Sequence, residues 1–124
     1  MQTNNCLTID VGTTNTKVTL WSKYTKVLKK FETPKNIHGN QVDFNLPKLW
    51  QNLLTNLKNF NKTELSKVKS ISIASVGESG ILLDKKTKQE AGHCIAWFDE
   101  RSEVILNKLT AIEKNVYMKL VVCQ

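Results

Sequence analysis

The fold is decided by an N-terminal stretch, residues 6–21, which reads CLTIDVGTTNTKVTLW. The run 6–10 reads as a strand, and the run 17–21 places apolar residues at every second position, which predicts another. The Gly-Thr-Thr-Asn sequence between them predicts a hairpin turn. A third run, 26–31, adds a strand and completes an antiparallel meander. Pro34 ends the meander, because proline cannot donate a hydrogen bond to a sheet.

The middle of the chain predicts a loop followed by an amphipathic helix. Residues 35–45 are polar and contain glycine, which is typical of a loop. The helix is predicted to begin after Asn45, a good N-cap, with Pro47 tolerated in its first turn. Its apolar residues recur with the spacing of one helical face. They are Leu46, Leu49, Trp50, Leu53, Leu54, Leu57 and Phe60.

The second half of the chain predicts one strand, a hairpin and helical structure. Residues 68–75 alternate between apolar and polar and predict a strand. The runs 81–84 and 93–97 flank a charged loop and predict a second hairpin. A helical pattern follows over residues 102–109.

A capping-box sequence marks the next helical segment. Thr110 and Glu113 have the spacing of that motif and predict a further helix reaching Val116, Tyr117 and Leu120. A single helix with a jog fits the same pattern, and the sequence does not separate the two alternatives.

The predicted order of elements indicates the fold class. It consists of a three-stranded antiparallel meander, a helix, a strand, a hairpin and a helix. This order differs from the alternating βαβ order of doubly wound nucleotide-binding folds. It resembles the beginning of the ribonuclease-H-like fold of actin and its ATPase relatives. We therefore expect an α/β, partial ribonuclease-H-like (actin-like ATPase) domain, and 124 residues fit one domain.

Composition excludes several classes of protein. The formal net charge is +7, but the lysines are spread along the chain and Arg101 is the single arginine. Proteins that bind nucleic acids usually contact bases through arginine and cluster their positive charge on one face. We therefore expect no nucleic-acid partner. DNA or RNA binding that weakens steeply with salt would reverse this interpretation. No apolar run is long enough to span a bilayer, and the N-terminus has no signal-peptide pattern. Three widely spaced cysteines are typical of reduced thiols, so we expect a cytoplasmic protein.

The turn of the first hairpin carries the first candidate site. Gly12 lets a ligand approach the backbone, and the N–H groups and side chains of Thr13, Thr14 and Asn15 can cradle phosphate oxygens. The segment is not a P-loop, because Thr16 stands where that motif needs glycine.

Charged residues flank this turn. Lys17 can place a point charge near a transferred group. Asp10, at the end of the first strand, can hold Mg²⁺ through water, because magnesium keeps several waters and takes one or two carboxylates. The alternative interpretation is a threonine-rich turn in which Asp10 caps the backbone.

Two further segments place polar groups at strand ends. Glu78 and Ser79 lie between glycines, and such groups suit the hydroxyls of a polyol; a turn with a solvated Glu78 is the alternative. Trp97 can stack on a sugar face, while Asp99 and Arg101 either bind its hydroxyls or pair with each other. In the alternative interpretation Asp99 begins a helix at its positive dipole end and Trp97 is a core residue.

Together, three segments resemble the beginning of an FGGY-family carbohydrate kinase. They are residues 10–17 (DVGTTNTK), 77–84 (GESGILLD) and 94–101 (CIAWFDER). The resemblance implies transfer of the γ-phosphoryl group of ATP to a hydroxyl of a sugar, sugar acid or polyol, with Mg²⁺ as cofactor. Gly77 stands where a glycerol kinase has arginine, and the GESG sequence differs from the corresponding sequence of xylulose kinases, so the sugar is left open.

The resemblance also implies roles for individual residues. Asp10 corresponds to the magnesium-site aspartate. The ATP-phosphate hairpin is formed by Gly12, Thr13, Thr14, Asn15 and Lys17. Sugar binding is implied for Glu78, Ser79, Trp97, Asp99 and Arg101.

Family enzymes have two actin-like domains, and the resemblance places residues 1–124 in the N-terminal part of the first. The second domain and the catalytic aspartate base are expected beyond Gln124. We therefore expect a truncated fragment, inactive by itself, whose full-length parent can form a homo-oligomer. The alternative from another class is a non-catalytic actin-like module that binds phosphate or assembles with a partner chain.

Overall fold

A four-stranded sheet forms the centre of the protein. The computed structural model describes residues 4–115. The antiparallel meander consists of β1 (Asn5–Val11), β2 (Asn15–Trp21) and β3 (Lys26–Glu32). Strand β6 (Val68–Ser75) pairs in parallel with β1, so the sheet order is β3-β2-β1-β6. The predicted meander and the strand at residues 68–75 are confirmed, as is the actin-like α/β fold class.

The predicted helix packs on one face of this sheet. Helix α1 spans Leu46–Lys58, and the Asn45 side chain caps it by accepting a hydrogen bond from the Lys48 N–H over 3.0 Å. Leu53 of α1 and Phe60 after it are buried against the sheet residues Leu7, Val18 and Leu20. Not all of the predicted apolar face is covered, because Trp50 and Leu54 remain exposed. A short helix, α2 (Lys62–Leu65), then leads into β6.

The segment predicted as a loop over residues 35–45 is instead a hairpin. Strands β4 (Lys35–His38) and β5 (Gln41–Phe44) pair antiparallel as a two-stranded sheet. Gly39 has a φ of 60° at the turn, the left-handed conformation that glycine adopts without steric cost. The strands escaped prediction because they are short and mostly polar.

The second predicted hairpin forms with a different partner, because residues 82–84 pair with residues 89–91 and not with the 93–97 run. Ile95 does not pair with the 81–84 run but forms a bridge to Asp43 of β5, while Leu83 bridges Glu90. The 85–92 loop folds back on the 81–84 run, because the Asp84 N–H donates to the Gln89 carbonyl and the Ala91 N–H donates to the Leu82 carbonyl, each over 2.8 Å. The Asp84 carboxylate accepts hydrogen bonds from the backbone N–H groups of residues 86 and 87 at its tip. The 93–97 run is thereby free to pack along β5, with Phe44, Cys94 and Ala96 buried in a second small core.

Helical structure near the end of the described residues is shorter than predicted. Helix α3 spans Glu103–Leu106 instead of residues 102–109. A separate helical segment covers residues 111–115, and Thr110 and Glu113 form the predicted capping box. The predicted continuation to Val116, Tyr117 and Leu120 lies outside the described residues. Within residues 4–115, no helix is long and apolar enough to cross a membrane.

Candidate functional site

The β1–β2 turn is a tight loop with glycine at its first position. The Gly12 N–H donates to the carbonyl of Asn15 over 3.1 Å. A Cβ atom at position 12 would lie 2.8 Å from that same oxygen, a distance that backbone atoms do not tolerate. Glycine is therefore required here for close packing of the turn, in addition to any role in ligand approach.

Thr33, just after β3, supports this turn from behind. Its hydroxyl donates to the Gly12 carbonyl over 2.7 Å and lies 2.9 Å from the hydroxyl of Thr16. Its N–H donates to the Thr14 carbonyl over 2.9 Å. Thr33 is only 1% exposed, so these contacts hold the turn in one conformation. Sequence reasoning missed Thr33, because nothing in its neighbourhood marks a threonine that contacts a turn so far away in the chain.

Asp10 and Lys17 face each other across β1 and β2. They are register partners, and Lys17 Nζ lies 3.4 Å from Asp10 Oδ2. Both side chains are about half exposed, so the carboxylate remains open to solvent. Among residues 4–115 there is no cluster of three or more potential metal-ligating side chains. A single half-exposed carboxylate, here ion-paired with Lys17, nonetheless fits magnesium, which keeps most of its ligands as water.

The Glu78 segment lies beside the same end of the sheet. The Val76 N–H donates to the carbonyl of Val11 over 2.9 Å, which fixes the segment next to the β1–β2 turn. Glu78 is exposed and has a φ of 57°, a left-handed conformation that is uncommon and strained for a residue with a side chain. The Ser79 hydroxyl is buried and has no hydrogen-bond partner among the described residues.

Trp97 joins the segments to each other. Its indole Nε1 donates to the hydroxyl of Thr13 over 2.9 Å. An open cavity of about 360 Å³ lies between them, lined by Thr13, Val76, Gly77, Glu78 and Trp97. The structure thus brings together the predicted phosphate turn, Glu78 and Trp97.

Asp99 and Arg101 do not line this cavity and instead pair with each other. The Asp99 side chain is fully buried, and its carboxylate accepts from Arg101 Nε over 2.6 Å and from the Arg101 backbone N–H over 2.9 Å. The guanidinium, helped by the backbone N–H groups of Val42 and Arg101, holds the pKa of Asp99 well below its usual range. The same pairing raises the pKa of Arg101.

The guanidinium also reaches a residue that sequence reasoning missed. Arg101 donates to Asp43 Oδ1 on β5 over 2.8 Å, and His93 Nδ1 lies 3.3 Å from Asp43 Oδ2. Asp43 is 6% exposed. Asp43 belongs to a polar segment that the sequence predicts as a loop, so the sequence pattern did not indicate that its side chain is buried.

Comparison with known proteins identifies the family. The model for the N-terminal domain of the FGGY family of carbohydrate kinases matches residues 5–124. The chain belongs to the FGGY family of carbohydrate kinases. The resemblance derived from the sequence motifs is thereby confirmed.

Individual FGGY relatives support this assignment. The chain is 32% identical over 122 residues to a glycerol kinase of Aquifex aeolicus, covering 91% of this chain and 23% of that protein. A glycerol kinase of Nitrosomonas eutropha is 29% identical over 111 residues, covering 85% of this chain and 22% of that protein. The chain thus spans less than a quarter of the length of these curated relatives.

Solved FGGY structures share the fold. The structure of Plasmodium falciparum glycerol kinase with ADP superposes with a TM-score of 0.72 at 20% identity, covering 94% of this chain and 25% of that one. The gluconate kinase of Lactobacillus acidophilus has a TM-score of 0.63 at 22% identity, covering 85% and 22%. At such identities the likeness establishes the fold alone. The roles of individual site residues remain predictions.

Proposed function

We propose that this FGGY domain serves ATP-dependent phosphorylation of a sugar, sugar acid or polyol. It contributes the β1–β2 turn to the phosphates of ATP and the cavity beside it to the acceptor. One observation carries this proposal above the others. The hydrogen bond from Trp97 to Thr13 places the predicted sugar-stacking residue directly against the predicted phosphate turn. Phosphoryl transfer needs donor and acceptor side by side in this way.

The phosphate side of the site rests on the fixed conformation of the turn. Because Thr33 supports the turn, the N–H groups and hydroxyls of residues 12–15 need little reordering when phosphate binds. The entropic cost of binding is therefore lower. Lys17 supplies positive charge at the end of β2, while its partner Asp10 is the residue that would hold magnesium through water. Bound magnesium would neutralise phosphate charge and orient the γ-phosphoryl group.

The acceptor side is formed by Glu78, Ser79 and Trp97. The exposed carboxylate of Glu78 accepts hydrogen bonds from sugar hydroxyls, and the indole face of Trp97 covers an apolar face of the sugar. The Ser79 hydroxyl, buried and without a hydrogen-bond partner within residues 4–115, offers a further polar contact when this segment adjusts on binding. The strained backbone at Glu78 fits a binding role, since strain concentrates at functional sites.

The class of acceptor is proposed from the relatives and from the residue at position 77. Two curated relatives are glycerol kinases. Gly77 nevertheless stands where the family resemblance implies arginine for a glycerol kinase, so the proposal also includes a different polyol, a sugar or a sugar acid. The proposed use of ATP favours the cytoplasm as the place of action. The widely spaced cysteines favour it as well, because they are typical of reduced thiols.

The 124 residues by themselves are proposed to be inactive. Family resemblance assigns the catalytic base to a position beyond Gln124, and phosphoryl transfer to an alcohol needs a base for the hydroxyl proton. With contacts only to the phosphates, we expect the dissociation constant for ATP to be weaker than about 1 mM, where binding is worth only about 4 kcal/mol.

A domain exchange tests the proposed function. Residues 5–124 replace the matching segment of the Aquifex aeolicus glycerol kinase, and ADP release is measured with glycerol, xylulose and gluconate. The proposal predicts acceptor-dependent ADP release, and the preferred acceptor identifies the sugar class. A folded chimera with no acceptor-dependent turnover contradicts it.

Two variants of the active chimera test the residue roles. Asp10→Asn should remove most of kcat while the fold is kept, and an unchanged kcat refutes the magnesium assignment. Glu78→Ala should raise KM for the acceptor much more than KM for ATP. The lost hydrogen bond is worth about 1–3 kcal/mol. Equal effects on both KM values would remove Glu78 from the sugar cavity.

A further inference from the structure

We propose that Asp43 is a positioning residue that fixes Trp97 in the cavity by way of Arg101 and Asp99. The inference rests on the proposed role of Trp97 in sugar binding. It assigns to Asp99 and Arg101 a task behind the cavity, in place of direct contact with the sugar. The β4–β5 hairpin then serves as the scaffold on which the sugar-contacting segment is aligned.

Trp97 lies at the tip of a tight turn that β5 holds at both ends. The turn, residues 96–99, is closed by a hydrogen bond from the Asp99 N–H to the Ala96 carbonyl over 2.9 Å. The Ala96 N–H donates to the carbonyl of Val42 over 3.0 Å, and the Val42 N–H donates to Asp99 Oδ2 over 2.5 Å. One residue of β5 therefore contacts both ends of the 96–99 turn.

The charged groups beneath this turn are Arg101, Asp99 and Asp43, and His93 Nδ1 lies 3.3 Å from Asp43 Oδ2. The single guanidinium of Arg101 lies between two carboxylates, donating to Asp99 over 2.6 and 2.9 Å and to Asp43 over 2.8 Å. Both carboxylates are buried, and the pair Asp99–Arg101 is local, only two residues apart in the chain. Asp43 is the side chain of β5 that contacts the guanidinium, whereas the Val42 N–H of β5 contacts Asp99. Without Asp43, the guanidinium keeps Asp99 but loses its own hydrogen bond to β5.

A fixed guanidinium matters because Asp99 is also the end of the Trp97 turn. Planar guanidinium–carboxylate pairs with several hydrogen bonds define orientation as well as energy. Removing one partner of a buried charge pair leaves the remaining charge uncompensated. Conformations in which this charge reaches water then become more favourable. We therefore expect loss of Asp43 to loosen the 96–99 turn and with it the indole of Trp97.

Tryptophan fluorescence in the 124-residue chain tests this inference without any sugar or ATP. A Trp21→Phe/Trp50→Phe background leaves Trp97 as the only tryptophan, and acrylamide quenching and anisotropy report its mobility. Asp43→Asn keeps the size of the side chain but removes its charge. We expect quenching of Trp97 to rise and its anisotropy to fall. Asp84→Asn, which alters the carboxylate just before the 85–92 loop, is the matched control and should change neither.

A second reporter separates positioning from general loss of structure. In a Trp50→Phe/Trp97→Phe background, Trp21 on β2 reports on the sheet and should not respond to Asp43→Asn. A Trp97 signal unchanged by Asp43→Asn, or equal changes at Trp21 and Trp97, overturns the proposal.

A conservative variant provides rescue. Asp43→Glu retains the carboxylate and should restore much of the Trp97 signal; if Asp43→Asn fails to fold, this variant decides the question. Arg101→Lys serves as the reference for this comparison. If Trp97 is as mobile in Asp43→Glu as in Arg101→Lys, the proposed role of the Asp43 carboxylate is contradicted. Failure of these tests leaves the proposed kinase function standing, because the domain exchange measures that function separately.

Discussion

The indole Nε1 of Trp97 donates a hydrogen bond to the hydroxyl of Thr13 over 2.9 Å, although 84 residues separate them in the chain. This contact joins the turn proposed to bind ATP phosphates to the segment proposed to bind the sugar. It also closes one side of the cavity that contains Glu78. The proposed placement of phosphate donor and acceptor in this FGGY domain depends on it.

Replacing the hydroxyl of Thr13 should release the indole while leaving the fold intact. Thr13→Val has nearly the same shape but cannot accept the hydrogen bond, so we expect the NMR resonance of the Trp97 indole N–H to shift. The bond is exposed to solvent, so the free energy of unfolding should fall by no more than about 1 kcal/mol. Thr13→Ser keeps the acceptor and should preserve the resonance. An indole resonance that is identical in all three chains would show that the contact is absent in solution.

The β1–β2 turn should not tolerate a methyl group at its first position. In Gly12→Ala the new Cβ meets the Asn15 carbonyl oxygen at 2.8 Å, and the backbone must shift. Overpacking of this kind costs about 1–3 kcal/mol in the free energy of unfolding. Gly77→Ala is the matched control, because no atom lies within 4 Å of its Cβ position. Urea unfolding checks both variants, and equal stability of the two would contradict the geometry of the turn.

The left-handed backbone at Glu78 predicts an unusual order of stabilities. Both Glu78→Gly and Glu78→Ala lose the carboxylate, but only alanine keeps the steric cost of a side chain at a φ of 57°. We expect Glu78→Gly to be more stable than Glu78→Ala by about 1 kcal/mol. At Ser75, in β6, the order should reverse, since glycine weakens a strand. The same order at both positions in thermal unfolding would argue against strain at Glu78.

Acid should weaken the chain through Asp99. Its pKa is held well below the usual range, chiefly by Arg101, whereas in the unfolded chain it is near 3.9. The unfolded state therefore takes up the proton first. The stabilisation is complete above about pH 5 and is lost progressively as the pH falls towards the folded pKa.

The slope of unfolding free energy against pH measures this contribution. Between about pH 5 and pH 3, Asp99→Asn should show a shallower loss of stability than the unchanged chain. Glu64 and Asp84 also have lowered pKa values and contribute to the slope in both chains. Parallel slopes for the two proteins would mean that Asp99 does not carry the ion pair in solution.

Elements with a regular local pattern were predictable from the sequence. The meander and α1 follow from apolar periodicity and from the Asn45 cap, which act over a few residues. The family followed from short motifs whose residues lie at a turn or a strand end. These signals are local, so a single sequence contains them.

The missed features depend on distant partners. Strand β5 carries few apolar residues, and it gains its partner Ile95 from a segment that the sequence pattern assigned to another hairpin. Thr33 and Asp43 are single polar residues whose importance arises from contacts 21 and 58 residues away. Residue type and spacing do not encode such pairings, which are decided by how the segments pack.

An NMR titration of the 124-residue chain, first with ATP and magnesium and then with the acceptor selected by the domain exchange, tests the central claim most directly. We expect ATP to shift the backbone amides of residues 12–15 with a dissociation constant weaker than about 1 mM. The acceptor should shift the Glu78 amide and the Trp97 indole N–H. Shifts by ATP that follow the exposed lysines of β3 and leave residues 12–15 unmoved would contradict the account. Micromolar ATP affinity with turnover would contradict it as well, because the domain would then be self-sufficient.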